Sequence, residues 1–197
     1  MLRGPVLHPL LGERIDTAVL TFFQSSLNAR QPDYLRDHRV YGEAVVPVAA
    51  YLEMAVAAGV QELRSERLRV EDVVIYQALR LPEEGSRSVQ CTLTADGVGY
   101  RWRIYSNEAG KEPIWVLHAE GRLLTGEPVS ERLELARLRA ELPEQLEVKA
   151  YYERLCSQGL DYGPAFQVIE ALWRGSGRAL GKLRLPPALS TDLSVSA

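Results

Sequence analysis

The stretch Val45-Val46-Pro47-Val48-Ala49-Ala50-Tyr51-Leu52-Glu53-Met54-Ala55-Val56-Ala57-Ala58-Gly59-Val60 decides the fold. Proline suits the first helical position, where its missing N–H is not needed, so a helix is predicted to begin at Pro47. Glu53 is its only charge before Glu62, and a helix apolar nearly all round is a helix covered nearly all round. Interrupted by Pro47 and Glu53, residues 44–60 are short for a membrane span. They read as the buried helix of a globular protein.

On the C-terminal side of that helix the period changes from helical to two. Val89, Cys91 and Leu93 alternate with Ser88, Gln90, Thr92 and Thr94; Tyr100, Trp102 and Ile104 alternate with Arg101 and Arg103. Trp115, Leu117 and Ala119 alternate with Val116, His118 and Glu120, which puts His118 on the face opposite the apolar residues. Turn signals at Glu84-Gly85-Ser86, at Asp96-Gly97 and across 107–113 separate these runs. One polar and one apolar face mark an antiparallel, half-buried sheet. On the N-terminal side, residues 15–27, with Phe22 and Phe23, read as strand, and 31–42 as polar and irregular. Strand, buried helix, then antiparallel strands predict an α+β hot-dog fold, a sheet wrapped around a central helix.

The remainder changes character. Residues 125–147 are rich in Glu, Arg and Leu, carry Pro128 and Pro143, and read as a connector with some helix. Helical spacing resumes over 148–158, followed by the turn cluster Gly159-Leu160-Asp161-Tyr162-Gly163-Pro164 and strand-like text at 166–173 and 178–185. The chain then runs into a Pro/Ser/Thr-rich tail. The predicted organisation is a first hot dog over 1–124, a connector over 125–147, and the start of a second hot dog over 148–197. No second buried helix is legible after Tyr162.

Composition narrows the function. Apolar residues make up 46% and charged residues 25% of the 197, as in ordinary globular domains. A net charge of -3 lacks the basic surplus of a nucleic-acid binder. Cys91 and Cys156 are far apart with no CxxC or Cys/His cluster. No zinc site is therefore expected, and a reducing, cytoplasmic setting is. Residues 1–12 have no long apolar core and do not read as a signal peptide. No GxSxG elbow and no phosphate-binding glycine loop is present, so hydrolase and nucleotide chemistry have no support. Cys91 sits on an apolar face and reads as core; Cys156 has no base near it in sequence. Arg101 and Arg103 read as a solvated strand face.

The segment Asp37-His38-Arg39-Val40-Tyr41-Gly42-Glu43-Ala44-Val45-Val46-Pro47 carries the chemistry. An imidazole, with an unperturbed pKa of about 6.5, accepts a proton at physiological pH. Gly42 allows backbone to approach a ligand closely. Free N–H groups at a helix start favour a developing negative oxygen. A base and an oxyanion site together suit removal of a proton next to a thioester carbonyl. Asp37 beside His38 does not make a triad, because adjacent residues rarely orient one another's side chains.

The spacing His38-xxx-Gly42-xxxx-Pro47 resembles the HxxxGxxxxP motif of polyketide synthase dehydratase domains. His8-Pro9-Leu10-Leu11-Gly12 resembles the HPLLG opening of that family, and Gly159-Leu160-Asp161-Tyr162-Gly163-Pro164-Ala165-Phe166 its GYxYGPxF motif. Leu160 stands where the family has an aromatic. The resemblance implies a double hot dog that removes water from a β-hydroxyacyl thioester, giving an α,β-enoyl thioester. It implies His38 as the catalytic base, and Gly42, Pro47, Tyr162, Gly163 and Pro164 around the substrate, with His8 structural. It implies no metal and no cofactor beyond the phosphopantetheine arm of an acyl carrier protein. That carrier, neighbouring synthase domains and a second copy are the implied partners.

The family's acid is an Asp in a DxxxQ or DxxxH motif, and nothing after Tyr162 matches it: Asp192-Leu193-Ser194-Val195-Ser196 does not. The LPFxW-type segment is also missing. The reading that follows is a chain cut short within the second hot dog. Two alternatives stand beside the dehydratase: a non-catalytic hot-dog module for megasynthase assembly or carrier docking, and an enoyl isomerase or cyclase of the same fold.

Overall fold

A computed structural model of the protein describes residues 6–17, 21–108, 114–126 and 134–186. Along the chain run β1 (Val6–His8), β2 (Gly12–Asp16), β3 (Thr21–Leu27), a 3-10 helix (Asp33–Asp37), β4 (His38–Val40), β5 (Glu43–Ala44) and α1 (Val48–Leu63). Then come β6 (Leu68–Ile75), β7 (Arg87–Asp96), β8 (Gly99–Glu108) and β9 (Val116–Thr125). The rest holds α2 (Leu135–Ala140), β10 (Glu144–Leu146), α3 (Val148–Ser157), β11 (Leu160–Tyr162), β12 (Ile169–Gly175) and β13 (Arg178–Leu183). The chain divides into two compact units: residues 1–35 with 44–129, and residues 36–43 with 130–197.

In the first unit seven strands form one antiparallel sheet in the order β1-β2-β3-β7-β8-β9-β6. Helix α1 packs on β6, β7, β8 and β9. Trp115 and Leu117, which the alternation put on the apolar face, are exposed and half-buried, whereas Val89, Cys91, Trp102, Ile104 and Ala119 are fully buried. They meet Tyr51, Met54, Ala55 and Ala58 of the helix in one core. This is the hot dog expected from the sequence.

Several details depart from the sequence reading. Residues 15–27 are parts of two strands, with Asp16 opposite Thr21. The Thr21 hydroxyl donates to the Asp16 carboxylate at 2.8 Å. Residues 18–20, Ala-Val-Leu, lie outside the described residues and carry no turn signal, so the break was invisible in the sequence. Pro47 is the N-cap of α1 and not its first helical residue. The helix is covered on one side only: Ala50, Tyr51, Met54, Ala55, Ala58 and Gly59 are buried, whereas Val48 is half exposed. Strand β6 was not read, because Leu68 and Val70 alternate with Arg69 and Glu71 only as far as Asp72, which breaks the period where the pairing with β9 shifts register.

His118 is buried, not outward. The register of β8 against β9 shifts between Ile104, opposite Ala119, and Tyr105, opposite Leu117. One extra residue in β9 is a bulge, and a bulge turns a side chain to the other face. The imidazole Nε2 lies 2.7 Å from the Ser106 hydroxyl, and Nδ1 lies 3.3 Å from the Gln77 carbonyl.

In the second unit β10, β12 and β13 make a small antiparallel sheet, and α3 packs against β11 and β12. The Glu147 carboxylate caps α3, accepting from the backbone N–H groups of Lys149 and Ala150. The expected connector contains α2 and β10; its Pro128 lies outside the described residues, as do Asp192 and the rest of the tail from 187 onward. Residues 160–162, read as part of a turn cluster, are strand β11, and His38, read as irregular, opens strand β4.

Candidate active site

Strands β4 and β11 run antiparallel, with Val40 opposite Leu160, Arg39 opposite Asp161 and His38 opposite Tyr162. Residues directly opposite in such a pair project from the same face, so the register alone sets the Tyr162 ring beside the His38 imidazole. The two rings stack, their centroids 5.2 Å apart and their planes 24° apart. Phe166 closes the group, its centroid 5.2 Å from His38 and 6.0 Å from Tyr162. Partial burial pushes the Tyr162 hydroxyl above its ordinary pKa, with smaller contributions from Tyr151 and Tyr152.

A tight turn after β11 brings Phe166 back. The Phe166 and Gln167 N–H groups both donate to the Gly163 carbonyl, at 2.9 and 3.1 Å. The Gln167 side-chain amide donates to the Tyr162 carbonyl at 2.6 Å. Pro164, exposed at this turn, brings no N–H that needs a partner. The turn is tied to the 3-10 helix before His38: the Gly163 N–H donates to the Asp37 carbonyl at 2.7 Å, and the Ala165 N–H to the Asp37 carboxylate at 2.9 Å. Only glycine fits at 163, because a Cβ there would lie 2.5 Å from the Asp37 Cγ.

On the other side of His38, Tyr41 and Gly42 reverse the chain with φ of 50° and 81°. The Arg39 guanidinium closes this turn by donating to the Gly42 carbonyl at 2.8 Å, and the Tyr41 N–H donates to the Gly159 carbonyl at 2.7 Å. Space around Gly42 is open, with no atom within 4 Å of a Cβ built there. His38, Gly42, Tyr162, Gly163 and Pro164 thus belong to the second unit, while Pro47 lies in the first. Two residues escaped the sequence reading as site members. Phe166 stood in a quoted motif but had no role without the turn geometry. Asp37 reaches not its neighbour's imidazole but the turn far along the chain.

The other candidates resolve simply. His8 Nε2 pairs with Glu53 at 3.2 Å and its Nδ1 accepts from the Leu10 N–H at 3.3 Å. Cys91 is core, and burial pushes its thiol up to about 12, so it is no nucleophile. Cys156 is exposed and, with Tyr152, Asp161 and Tyr162, lines an open cleft of about 610 Å³. Arg101 and Arg103, expected to be merely solvated, pair with Asp96 at 3.0 Å and Glu120 at 2.9 Å. Among the described residues there is no group of His, Cys, Asp and Glu that could hold a metal ion, and no helix long and apolar enough to cross a membrane.

Residues 8–107 match the family model of the polyketide synthase dehydratase domain, and residues 130–195 that of the polyketide synthase dehydratase N-terminal domain. The solved dehydratase domain from the CurF module of curacin polyketide synthase is 37% identical, with a TM-score of 0.88 over 95% of this chain and 69% of that one.

The chain belongs to the polyketide synthase dehydratase family.

The dehydratase from the CurK module of the same synthase is 35% identical, with a TM-score of 0.87 over 94% of this chain and 67% of that one. CurK dehydratase has also been solved as two inactive mutants, one replacing an aspartate by asparagine and one a histidine by phenylalanine. Among curated relatives, the spectinabilin polyketide synthase system protein NorB of Streptomyces orinoci is 33% identical over 181 residues, 90% of this chain. This dehydratase chain spans only 8% of NorB's length. The two family matches divide the site between them: His38, Gly42 and Pro47 fall in the first, and Tyr162, Gly163, Pro164 and Phe166 in the second.

Proposed function

We propose that this chain carries the base of a dehydratase that removes water from a β-hydroxyacyl group held as a thioester on an acyl carrier protein. The observation that carries the reading is the His38 imidazole bracketed by Tyr162 and Phe166, at the motif positions of a dehydratase family. In this mechanism a ring nitrogen of His38 takes the α-proton. The electron pair of that C–H bond becomes the carbon–carbon double bond. The β C–O bond breaks, and an acid protonates the departing hydroxyl so that it leaves as water. General acid and base assistance of this kind is each worth about 10²–10⁴ in rate.

The acid is an aspartate in this reading, supported by the aspartate whose replacement accompanies inactivity in CurK dehydratase. No residue of this chain is assigned as that acid. The chemistry calls for no metal or redox cofactor, because the thioester carbonyl itself acidifies the α-proton. The phosphopantetheine arm brings the substrate, which makes the carrier protein and neighbouring synthase domains the partners. Tyr162 and Phe166 limit rotation of the imidazole. Gly42 and the turn around it leave open space next to the base for the thioester end of the substrate, and Pro47 starts the central helix of the first hot dog.

The test is mass spectrometry of a carrier-bound β-hydroxyacyl thioester incubated with the synthase polypeptide to which this sequence belongs, wild type beside His38→Ala. Loss of water with wild type alone supports the reading. Equal loss with both removes His38 from the mechanism. A folded wild type inactive on a panel of substrates removes the enzyme reading altogether.

A further inference from the structure

The ladder between β4 and β11 explains why Tyr162 meets His38, but it ends at that pair. Phe166 lies beyond the ladder, and its place against the imidazole depends on the turn over 163–166. The Gln167 amide and the Tyr152 hydroxyl tie that turn to its own unit by donating to the Tyr162 and Phe166 carbonyls, at 2.6 and 3.3 Å, and Asp37 ties it to the strand that carries His38. Asp37 accepts from the Gly163 N–H through its main-chain carbonyl and from the Ala165 N–H through its carboxylate, at 2.7 and 2.9 Å. The second bond joins residues 128 positions apart in sequence. The carboxylate also lies 3.9 Å from the Arg36 guanidinium, too far for a good hydrogen bond, so the Ala165 N–H is its directional partner. A hydrogen bond to a charged acceptor is the stronger kind, roughly twice a neutral one.

We infer that Asp37 is a positioning residue for the His38 base: its carboxylate fixes the Gly163–Phe166 turn, and the turn presses Phe166 against the imidazole. The inference rests on the reading of His38 as the base. Asp37 touches neither the imidazole nor a reacting atom in this role. It acts one step removed, which is why its place next to His38 in sequence is beside the point. Gly163 belongs to the same device, since any Cβ there would collide with the Asp37 carboxylate. Without the clamp, the Tyr152 hydroxyl and the Gln167 amide still tether the turn, and Phe166 is held less firmly against the imidazole. The accepting nitrogen is then aimed less firmly at the α-proton.

Two readouts test this in the full chain. The first needs no activity: aromatic rings shift nearby proton resonances, so the His38 ring protons report their neighbours. Asp37→Ala is expected to move those resonances toward the values of Phe166→Leu. Asp37→Asn, which keeps a carbonyl oxygen for the Ala165 N–H, is expected to stay near wild type. The second is kinetic: Asp37→Ala is expected to lower kcat for water loss about tenfold with little change in KM, and Asp37→Asn to restore most of it. Gly163→Ala, harmful alone, should cost less when added to Asp37→Ala, because two of the three atoms it strikes, Cγ and Oδ1, are gone and only the Cβ at 2.8 Å remains. Unmoved His38 resonances in a folded Asp37→Ala protein overturn the inference, whatever the activity. Moved resonances with unchanged kcat overturn the catalytic part while leaving the clamp. A wild type without activity, but with resonances that move as expected, strikes the function and not the clamp.

Discussion

The imidazole of His38 and the phenol ring of Tyr162 face one another across an antiparallel ladder, stacked with centroids 5.2 Å apart. The pairing is a matter of register. A slip of one residue in either strand would send its ring to the face opposite the other's. Stacked aromatic pairs add about 0.5–1.5 kcal/mol beyond the area they bury. Tyr162→Phe keeps the ring and is expected to retain most activity in the water-loss assay, whereas Tyr162→Leu is expected to lower it severalfold. Equal loss in both would shift the role from the ring to the hydroxyl.

His38→Ala removes the imidazole proposed as the base. The expected loss in kcat is at least about 10²-fold, read by mass spectrometry of the carrier-bound product. Circular dichroism should stay that of wild type, because His38 is only partly buried and its backbone pairing does not depend on the side chain.

His118 gives a pH dependence of stability. Burial holds its pKa below the ordinary value of 6.5, opposed in part by its hydrogen bond to the Gln77 carbonyl. In the unfolded chain the imidazole therefore takes up its proton at a higher pH than in the folded one. Stability rises with pH wherever the unfolded state binds more protons. The folded form is thus fully favoured above about pH 6.5 and loses stability as pH falls from there toward the lowered folded value. Urea denaturation of wild type and His118→Gln at pH 8 and pH 5.5 is expected to show a steeper loss in wild type. Parallel losses would mean that His118 titrates normally.

Gly121 lies against the indole of Trp102, and a Cβ there would approach Trp102 Cζ2 to 2.7 Å. Trp102 is fully buried and has nowhere to move. Overpacking of this kind costs about 1–3 kcal/mol. Gly121→Ala is expected to lower the urea midpoint accordingly, with a change in tryptophan fluorescence of the native state.

The two cysteines should separate chemically. Cys156 is exposed and Cys91 is buried, with its thiol pushed up to about 12. The thiolate is the reactive form. Alkylation with iodoacetamide at pH 8 is expected to label Cys156 alone in the native protein and both after unfolding. Labelling of Cys91 under native conditions would reveal local opening of the first sheet.

Much of the first sheet could be read from the sequence, because alternation is a local signal: Val89, Cys91 and Leu93 or Trp102 and Ile104 announce their face within a few residues. What depended on a count of residues between partners could not be read. The bulge that turns His118 inward is such a case, since it exists only relative to β8. The same holds for the clamp at Asp37, whose partner Ala165 is distant in sequence. His38 itself was legible through its motif, but its neighbours were not. Tyr162 and Phe166 meet it through a strand register and a turn that no local pattern encodes. Strand β6 was hidden for the opposite reason: its alternation of Leu68 and Val70 with Arg69 and Glu71 is cut short at Asp72, and its pairing with β9 carries it across that break.

The lodging of residues 36–43 in the second unit has a consequence for the order of events during synthesis. The strands of the first sheet have all been made once Thr125 has emerged, and contacts close in sequence form readily. His38 by then has also been made but waits for Tyr162 and Phe166, which leave the ribosome later. A nascent chain halted between these points would carry a formed sheet and an imidazole without its rings. For anyone exchanging dehydratase segments between synthases, a splice in the region 126–147 would join the His38 imidazole of one parent to the aromatic bracket of another. Compatibility at Asp37, Tyr162, Gly163 and Phe166 would then decide whether the chimera works.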